Sequence, residues 1–411
     1  YVANFGVEYT LDSPGEGNLL YRNNADGTFS NVTPKAGVSG SGHSTGVAWG
    51  DYDNDGYLDL YVANFGVLMP GGFLKSERNH LYRNNGNGMF TDVAGKLNVG
   101  DVVKEKGWNL TTASRKEVRT GLSYQPVWFD FNSDGHLDLF VATDFGSSPL
   151  YLNYGDGTFS DVTEKAGINI YGTNMGVAVG DYDNDGDLDI YITNIEENYL
   201  WRNNGDGTFS EVAGQLGVDD NGHGWATGFL DFDNDGDLDI HVVNGAEGLN
   251  WRNEGSRVPK SNDVFYLNHA NSFIDVTKKV GLSESEVALG ASWADFDNDG
   301  FTDAFVVQTN GINRLYKNKG NKNNWITIKL VGTKSNRDGI GTKIALTSEG
   351  IRQIREVASG GSYLSQNSLW QTFGLGSAER IDKIEVFWPS GKRQILNDLK
   401  TNQILTVEET E

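Results

Sequence analysis

"DYDNDGDLDI", residues 181–190, sets carboxylates at Asp181, Asp183, Asp185 and Asp189 within nine positions. Packed so closely they repel one another, yet near copies begin at Asp51 ("DYDNDGYLD"), Asp130 ("DFNSDGHLD"), Asp231 ("DFDNDGDLD") and Asp295 ("DFDNDGFTD"). The starts lie 79, 51, 50 and 64 residues apart, so a unit of about 50 carries insertions in two places. A second string recurs in phase: "NLLYRNNADGTFSNVT" from Asn18, "NHLYRNNGNGMFTDVA" from Asn79, "PLYLNYGDGTFSDVT" from Pro149 and "NYLWRNNGDGTFSEVA" from Asn198, with looser copies around Phe265 and Leu315. A fixed period of this length marks a repeat architecture.

Each unit reads as four strands. "TGVAWGD" leads into the acidic turn, and "LDLYVAN" leaves it with apolar and polar residues alternating. "NLLYRNN" and "TFSNVT" then form a hairpin through Asn-Gly or Asp-Gly chemistry. Four short strands per unit are the signature of a propeller blade. The expected fold is all-β: a six- or seven-bladed β-propeller of four-stranded blades over residues 1–320, then a small C-terminal β domain over 321–411. Composition agrees, since 53 Gly and 7 Pro suit short strands and tight turns. Cys is absent, which excludes a disulfide framework and any thiolate site. No stretch approaches the roughly 18 apolar residues of a membrane span. A net charge of −23 argues against nucleic acid or an anionic membrane surface as partner.

The acidic turn suits one hard cation. Carboxylates at positions 1, 3, 5 and 9, a backbone carbonyl at 7 and a Gly at 6 wrap an ion in oxygen, and Ca²⁺ takes about six to eight such ligands. The expected sets are Asp51, Asp53, Asp55, Asp59 and the Tyr57 carbonyl; Asp130, Asn132, Asp134, Asp138 and the His136 carbonyl; and Asp181, Asp183, Asp185, Asp189 and the Asp187 carbonyl. The last two sets are Asp231, Asp233, Asp235, Asp239 with the Asp237 carbonyl, and Asp295, Asp297, Asp299, Asp303 with the Phe301 carbonyl. An EF-hand is excluded: its position 12 is Glu, and here stand Val62, Val141, Ile192, Val242 and Val306, on strand-like flanks. Five copies weigh heavily against solvated acidic turns without metal. The copy at Asp130 is the weakest, because Asn132 replaces a carboxylate. About five Ca²⁺ ions, one per loop, would bring the formal charge from −23 to −13, so much of the acidity is structural.

The units resemble FG-GAP/VCBS repeats, the calcium-loop blades of integrin α-subunit propellers. From Asn324 onward the chain resembles the ASPIC/UnbV domain of the cartilage acidic protein-like family, on "LVGTKSNRDGIGTKI" (330–344), "REVASGGSYLSQ" (355–366), "FGLG" (373–376) and "IEVFWPSGK" (384–392). The resemblance implies a calcium-loaded propeller, usually of seven blades, exported from the cell. Six units are countable, and "YVANFG" at the start repeats residues 61–66. An upstream signal peptide, one closing outer strand and one further calcium loop are therefore expected before Tyr1. The C-terminal segment lacks the acidic loop and holds an excess of Lys and Arg. A lid or docking module against the propeller, or a stabilising cap, are its two expected roles.

No G-x-S-x-G elbow, Walker loop, G-x-G-x-x-G after a strand or H-E-x-x-H is present. His43 and His223 each stand eight residues before their first loop Asp, where inner strands would converge on the channel mouth. They are the candidate acid–base or metal-binding pair, against the plainer reading of hydrogen-bonding residues in Gly-rich turns. Trp49, Trp128 and Trp293, each two residues before a loop Asp, read as packing between blades, and Trp201 and Trp251 as blade packing. The insertions 97–126 and 244–264 break the pattern, and Trp108, Arg115, Lys116 and Arg119 form a basic–aromatic group in the first. The functional reading is a secreted or cell-surface calcium-binding module for an extracellular protein or polysaccharide partner, with self-association as an option. A lyase-like carbohydrate enzyme at the channel mouth and a fibre-forming structural protein are the alternatives.

Overall fold

The structure, a computed structural model, describes residues 1–4, 17–40, 42–69, 73–100, 108–109, 122–144, 146–168, 171–245, 262–282, 287–309 and 311–410. Of the two insertions, the side chain of Trp108 and residues Arg115, Lys116, Arg119 and Trp251 lie outside the described residues.

The fold is all-β. Four antiparallel four-stranded meanders follow one another, and each matches one repeat of the sequence. Their first strands are Ser44–Gly50, Leu122–Phe129, Asn174–Gly180 and Gly224–Leu230. A fifth sheet, starting with Ala288–Ala294, has three strands; in the sequence, "RLYKNKG" (314–320) is followed by no "TFSDVT" copy. The hairpin Tyr21–Asn23 with Phe29–Asn31 stands as a two-stranded sheet, tied to the start of the chain by a bridge between Val2 and Leu19. In every meander the first and second strands flank an acidic loop, and a register shift in the first strand falls between seven and four residues before that loop.

The first strands of successive sheets pack side by side, in chain order. Glycine permits this approach. A Cβ on Gly46 would lie 2.1 Å from the Tyr124 carbonyl oxygen, and one on Gly176 would lie 2.1 Å from that of Trp225. Between the sheets sit the phase-locked aromatics. Trp128 is fully buried against Gly50, Tyr52 and Tyr61 of the preceding sheet, and Trp293 packs on Gly228 and donates through Nε1 to His241 Nδ1 at 3.0 Å. Trp201 is buried in a cluster with Phe131, Phe209 and Ile190. Short helices, such as Thr33–Ala36 and Ala213–Leu216, follow the outer strands, each ended by a left-handed residue.

Beyond the fifth sheet come two more. Asn324–Val331 lies between Gln371–Gly376 and, in parallel, Gln403–Glu408. The other runs in the order Ile351–Glu356, Lys343–Ser348, Arg380–Phe387, Arg393–Lys400. They enclose Ile326, Ile328, Ile344, Phe373, Ile384 and Val386. Gln371–Gly376 and Arg393–Lys400 were not expected as strands.

Candidate metal centres

The five acidic loops share one hydrogen-bond scheme. The first Asp accepts from the Gly N–H at position 6, at 2.9 Å for Asp51 and Gly56 and 3.1 Å for Asp181 and Gly186. The position-5 carboxylate accepts from the N–H at position 7, as Asp55 does from Tyr57 and Asp235 from Asp237. The ninth-position Asp accepts from the N–H at position 2, as Asp189 does from Tyr182. Two residues per loop take positive φ, for example Asn184 at 56° and Gly186 at 104°, which is the sharp turn that needs Gly. These bonds hold the carboxylates inward, against their mutual repulsion.

Positions 1, 3 and 9 converge. Asp51, Asp53 and Asp59 present oxygens within 4.8 Å of one another, and so do Asp181, Asp183 and Asp189, and Asp231, Asp233 and Asp239. In the fifth loop the trio is Asp295, Asp297 and Asp299. Among the described residues the second loop brings no such trio together, which follows from Asn132 in place of an acid. Asp235 and Asp237 also meet His269. The side chains at position 7 turn away, Tyr57 against Gly86, His136 against Gly155 and Phe301 against Gly320, which leaves that position its carbonyl.

The electrostatics of the loops point to a cation. Burial pushes the Asp51 carboxyl up to about 6, those of Asp181 and Asp231 up to about 7 and that of Asp59 up to about 8. Burial also drives Asp138, Asp189 and Asp239 well above the usual carboxylate range. Asp53 Oδ1, Asp181 Oδ1 and Asp233 Oδ1 are buried with no hydrogen-bond partner. Buried carboxylate oxygens without partners are costly unless a cation meets them. The donor set is all oxygen and hard, so the residues present fit Ca²⁺.

Several residues that build these centres were not singled out from sequence. An Asn at or close to the end of the third strand of each sheet donates its N–H to the ninth-position Asp: Asn84 to Asp59, Asn153 to Asp138, Asn203 to Asp189, Asn268 to Asp239 and Asn318 to Asp303. In four of them the side chain also reaches the preceding sheet, as Asn203 Nδ2 does to the carbonyl of Phe131 at 2.8 Å. The Asn at position 4 makes a second link: Asn54, Asn184 and Asn234 each donate to the Gly carbonyl of the following loop. Just before the strand-ending Asn, Arg83 pairs with Asp53 at 2.6 Å and Asp55 at 2.9 Å, and Lys317 pairs with Asp297 and Asp299. The signal was visible as the recurring "YRN", "WRN" and "YKN". Asn203→Ala, which strands the Phe131 and Leu188 carbonyls, should cost about 2–3 kcal/mol by chemical denaturation; an unchanged midpoint would remove the link between sheets.

The C-terminal sheets cover this face. Gly374 N–H donates to Asp231 Oδ2 at 2.9 Å, Lys343 Nζ to Ser133 Oγ at 2.8 Å, and the Asp130 N–H to the Glu356 carboxylate. Arg355, buried, lies within electrostatic reach of Asp231, Asp181 and Asp237.

His43 and His223 have different neighbours among the described residues. His43 is buried, with Nδ1 3.2 Å from Glu77 Oε2. His223 is half-buried and bridges to Ile195. Neither lines the 690 Å³ central cavity, whose walls include Tyr124, Gln125, Trp225 and Tyr363.

Residues 9–62, 130–192 and 185–242 match the FG-GAP-like repeat family, and residues 332–411 match the ASPIC and UnbV family. The chain therefore carries FG-GAP-like repeats followed by an ASPIC/UnbV domain. Similar proteins include cartilage acidic protein 1 of Xenopus tropicalis, 26% identical over 371 residues, covering 88% of this chain and 54% of that one. The Homo sapiens protein of the same name is 27% identical over 385 residues, covering 90% and 54%. This FG-GAP chain thus spans about half the length of the curated relatives it matches. Among solved structures, an Agrocybe aegerita lectin that recognises non-reducing terminal N-acetylglucosamine aligns at TM-score 0.40 and 17% identity, over 78% of this chain and 82% of that one. An exotype rhamnogalacturonan lyase aligns at TM-score 0.41 and 15% identity, over 98% and 68%. No helix among the described residues is long and apolar enough to cross a membrane.

Proposed function

We propose that this chain is a secreted calcium-binding interaction module, whose acidic loops hold Ca²⁺ and stiffen a propeller that presents its outer surfaces to an extracellular protein or polysaccharide. The observation that carries it is the repeated trio of inward carboxylates with buried oxygens that have no hydrogen-bond partner among the described residues, at Asp53, Asp181 and Asp233. Asp51, Asp53 and Asp59 would hold one ion, and the matching residues of the other loops one each, about five in all. Bound calcium supplies the positive charge that lets both inner strands of a sheet end on ionised carboxylates. The relatives' shared name supports a role outside the cell.

The test is calorimetric titration of chelator-treated protein with Ca²⁺, followed by capture on immobilised polysaccharides and matrix proteins with and without the ion. Several ions per chain and calcium-dependent capture support the reading. Fewer than three ions per chain would overturn the loop assignment.

A further inference from the structure

Residues 358–368, "ASGGSYLSQNS", connect Ile351–Glu356 of one C-terminal sheet to Gln371–Gly376 of the other. Connections between strands ordinarily run over the surface, where water satisfies their backbone. Here Ser359, Gly360, Gly361, Ser362 and Tyr363 are buried. The burial is not within the C-terminal sheets. It is among the first strands of the repeats.

The segment touches all five. From Ser44–Gly50, the Trp49 N–H donates to Ser359 Oγ at 3.1 Å. Against Leu122–Phe129, Gly360 bridges Val127, and Leu364 N–H donates to Gln125 Oε1 at 2.9 Å. Against Asn174–Gly180, Val177 and Ser362 exchange backbone bonds, the Val177 N–H reaching the Ser362 carbonyl at 2.9 Å. From Gly224–Leu230, the Trp225 ring meets Tyr363 edge to face with centroids 5.0 Å apart. Toward Ala288–Ala294, Ser362 Oγ donates to the Ala291 carbonyl at 3.0 Å, and Trp293 N–H donates to Asn367 Oδ1 at 3.3 Å. Eleven residues span at most about 40 Å even when fully extended, so the five strands converge on this one segment.

The local sequence is what such a position requires. Gly360, Gly361 and Ser362 have φ of 89°, 83° and 56°. A Cβ on Gly360 would lie 2.4 Å from the Pro126 carbonyl oxygen and 2.8 Å from Ala48 Cβ. The backbone is paired: Gly360 N–H to Gln366 Oε1, Gly361 N–H to Pro126 O and Ser362 N–H to Val177 O.

We infer that segment 358–368 is an intrachain ligand of the site formed by the five first strands, and that through it the ASPIC/UnbV domain fastens the repeats into one cooperative unit. The segment's contacts are backbone, hydroxyl, amide and aromatic ones, and none of those named involves an acidic-loop carboxylate. The fastening therefore stands or falls separately from calcium binding.

The test uses the full chain at saturating calcium. Gly360→Val drives a branched side chain into Pro126 and Ala48. Calorimetry should show the single wild-type transition split in two, and amide exchange at Trp49, Val177 and Trp293 should accelerate at least tenfold while the calcium stoichiometry stays the same. A single transition with unchanged exchange at those amides would overturn the inference. If that variant does not fold, the pair Ala291→Cys with Ser362→Cys decides, on a chain otherwise free of cysteine. An oxidised crosslink that raises the melting temperature, and loses the gain on reduction, supports the fastener. Failure of the folded protein to form the crosslink, or a crosslink that leaves the melting temperature unchanged, overturns it.

Discussion

Excess chelator lowers the melting temperature of this protein by about 10 °C or more relative to millimolar Ca²⁺. The size follows from mass action. An extracellular-type site with a dissociation constant near 10⁻⁴ M contributes about 1.4 kcal/mol at 1 mM ion. Five such sites contribute about 7 kcal/mol, comparable to the whole stability of an ordinary domain. The pH dependence should change sign with the ion. Without it, Asp51, Asp181 and Asp231 have folded pKa values raised by burial to about 6, 7 and 7. A raised carboxyl contributes stability below its unfolded pKa and loses it as pH rises through the folded value. Chelated protein should therefore melt higher at pH 5 than at pH 7.5. With calcium the order should reverse, because the ligands must be ionised to hold the ion. Melts at both pH values, with and without chelator, check this; equal melting temperatures in chelator and calcium would end the metal assignment.

Asp189→Ala should cost about 3–5 kcal/mol in calcium, the larger part of it surviving in chelator. Asp189 is fully buried, and it accepts the N–H groups of Tyr182 at 3.2 Å and Asn203 at 2.8 Å while completing the trio with Asp181 and Asp183. Its removal strands two buried donors and takes one carboxylate from the ion. Asp187→Ala, two residues earlier, changes a side chain that points away from the trio and should stay within about 0.5 kcal/mol of wild type. Equal losses from the two would mean that position 9 has no special role. Urea midpoints for both variants, each with and without calcium, separate the structural from the ionic part.

Much of this was legible in the sequence, because it is local. The D-x-D-x-D-G spacing sets which carboxylates face one point, Gly at position 6 allows the reversal, and alternating strands on either side follow from composition alone. The absence of a fourth strand from the fifth sheet was equally visible, as a missing "TFSDVT". The trio geometry was less so: position 5 spends an oxygen on the N–H at position 7, and in three loops positions 1, 3 and 9 form the closest group.

What the sequence by itself determined was the repeat, its strands and the acidic loops, each settled by residues within about ten positions of one another. Only the tertiary structure decided how those loops are joined and what fills the space between the sheets. Asn268 reaches Tyr182 across 86 positions, and Leu364 reaches Gln125 across 239. Asn in "RNN" reads equally well as a turn residue, and "SGGSYLSQ" as an exposed linker, because their partners exist only once separate sheets are packed. His43 and His223 show the converse: equal spacing from their loops placed them together in the sequence pattern, and different neighbours, Glu77 for one and Ile195 for the other, set them apart. Local spacing fixes which backbone turns; the side chains' long-range partners depend on packing that no short window contains.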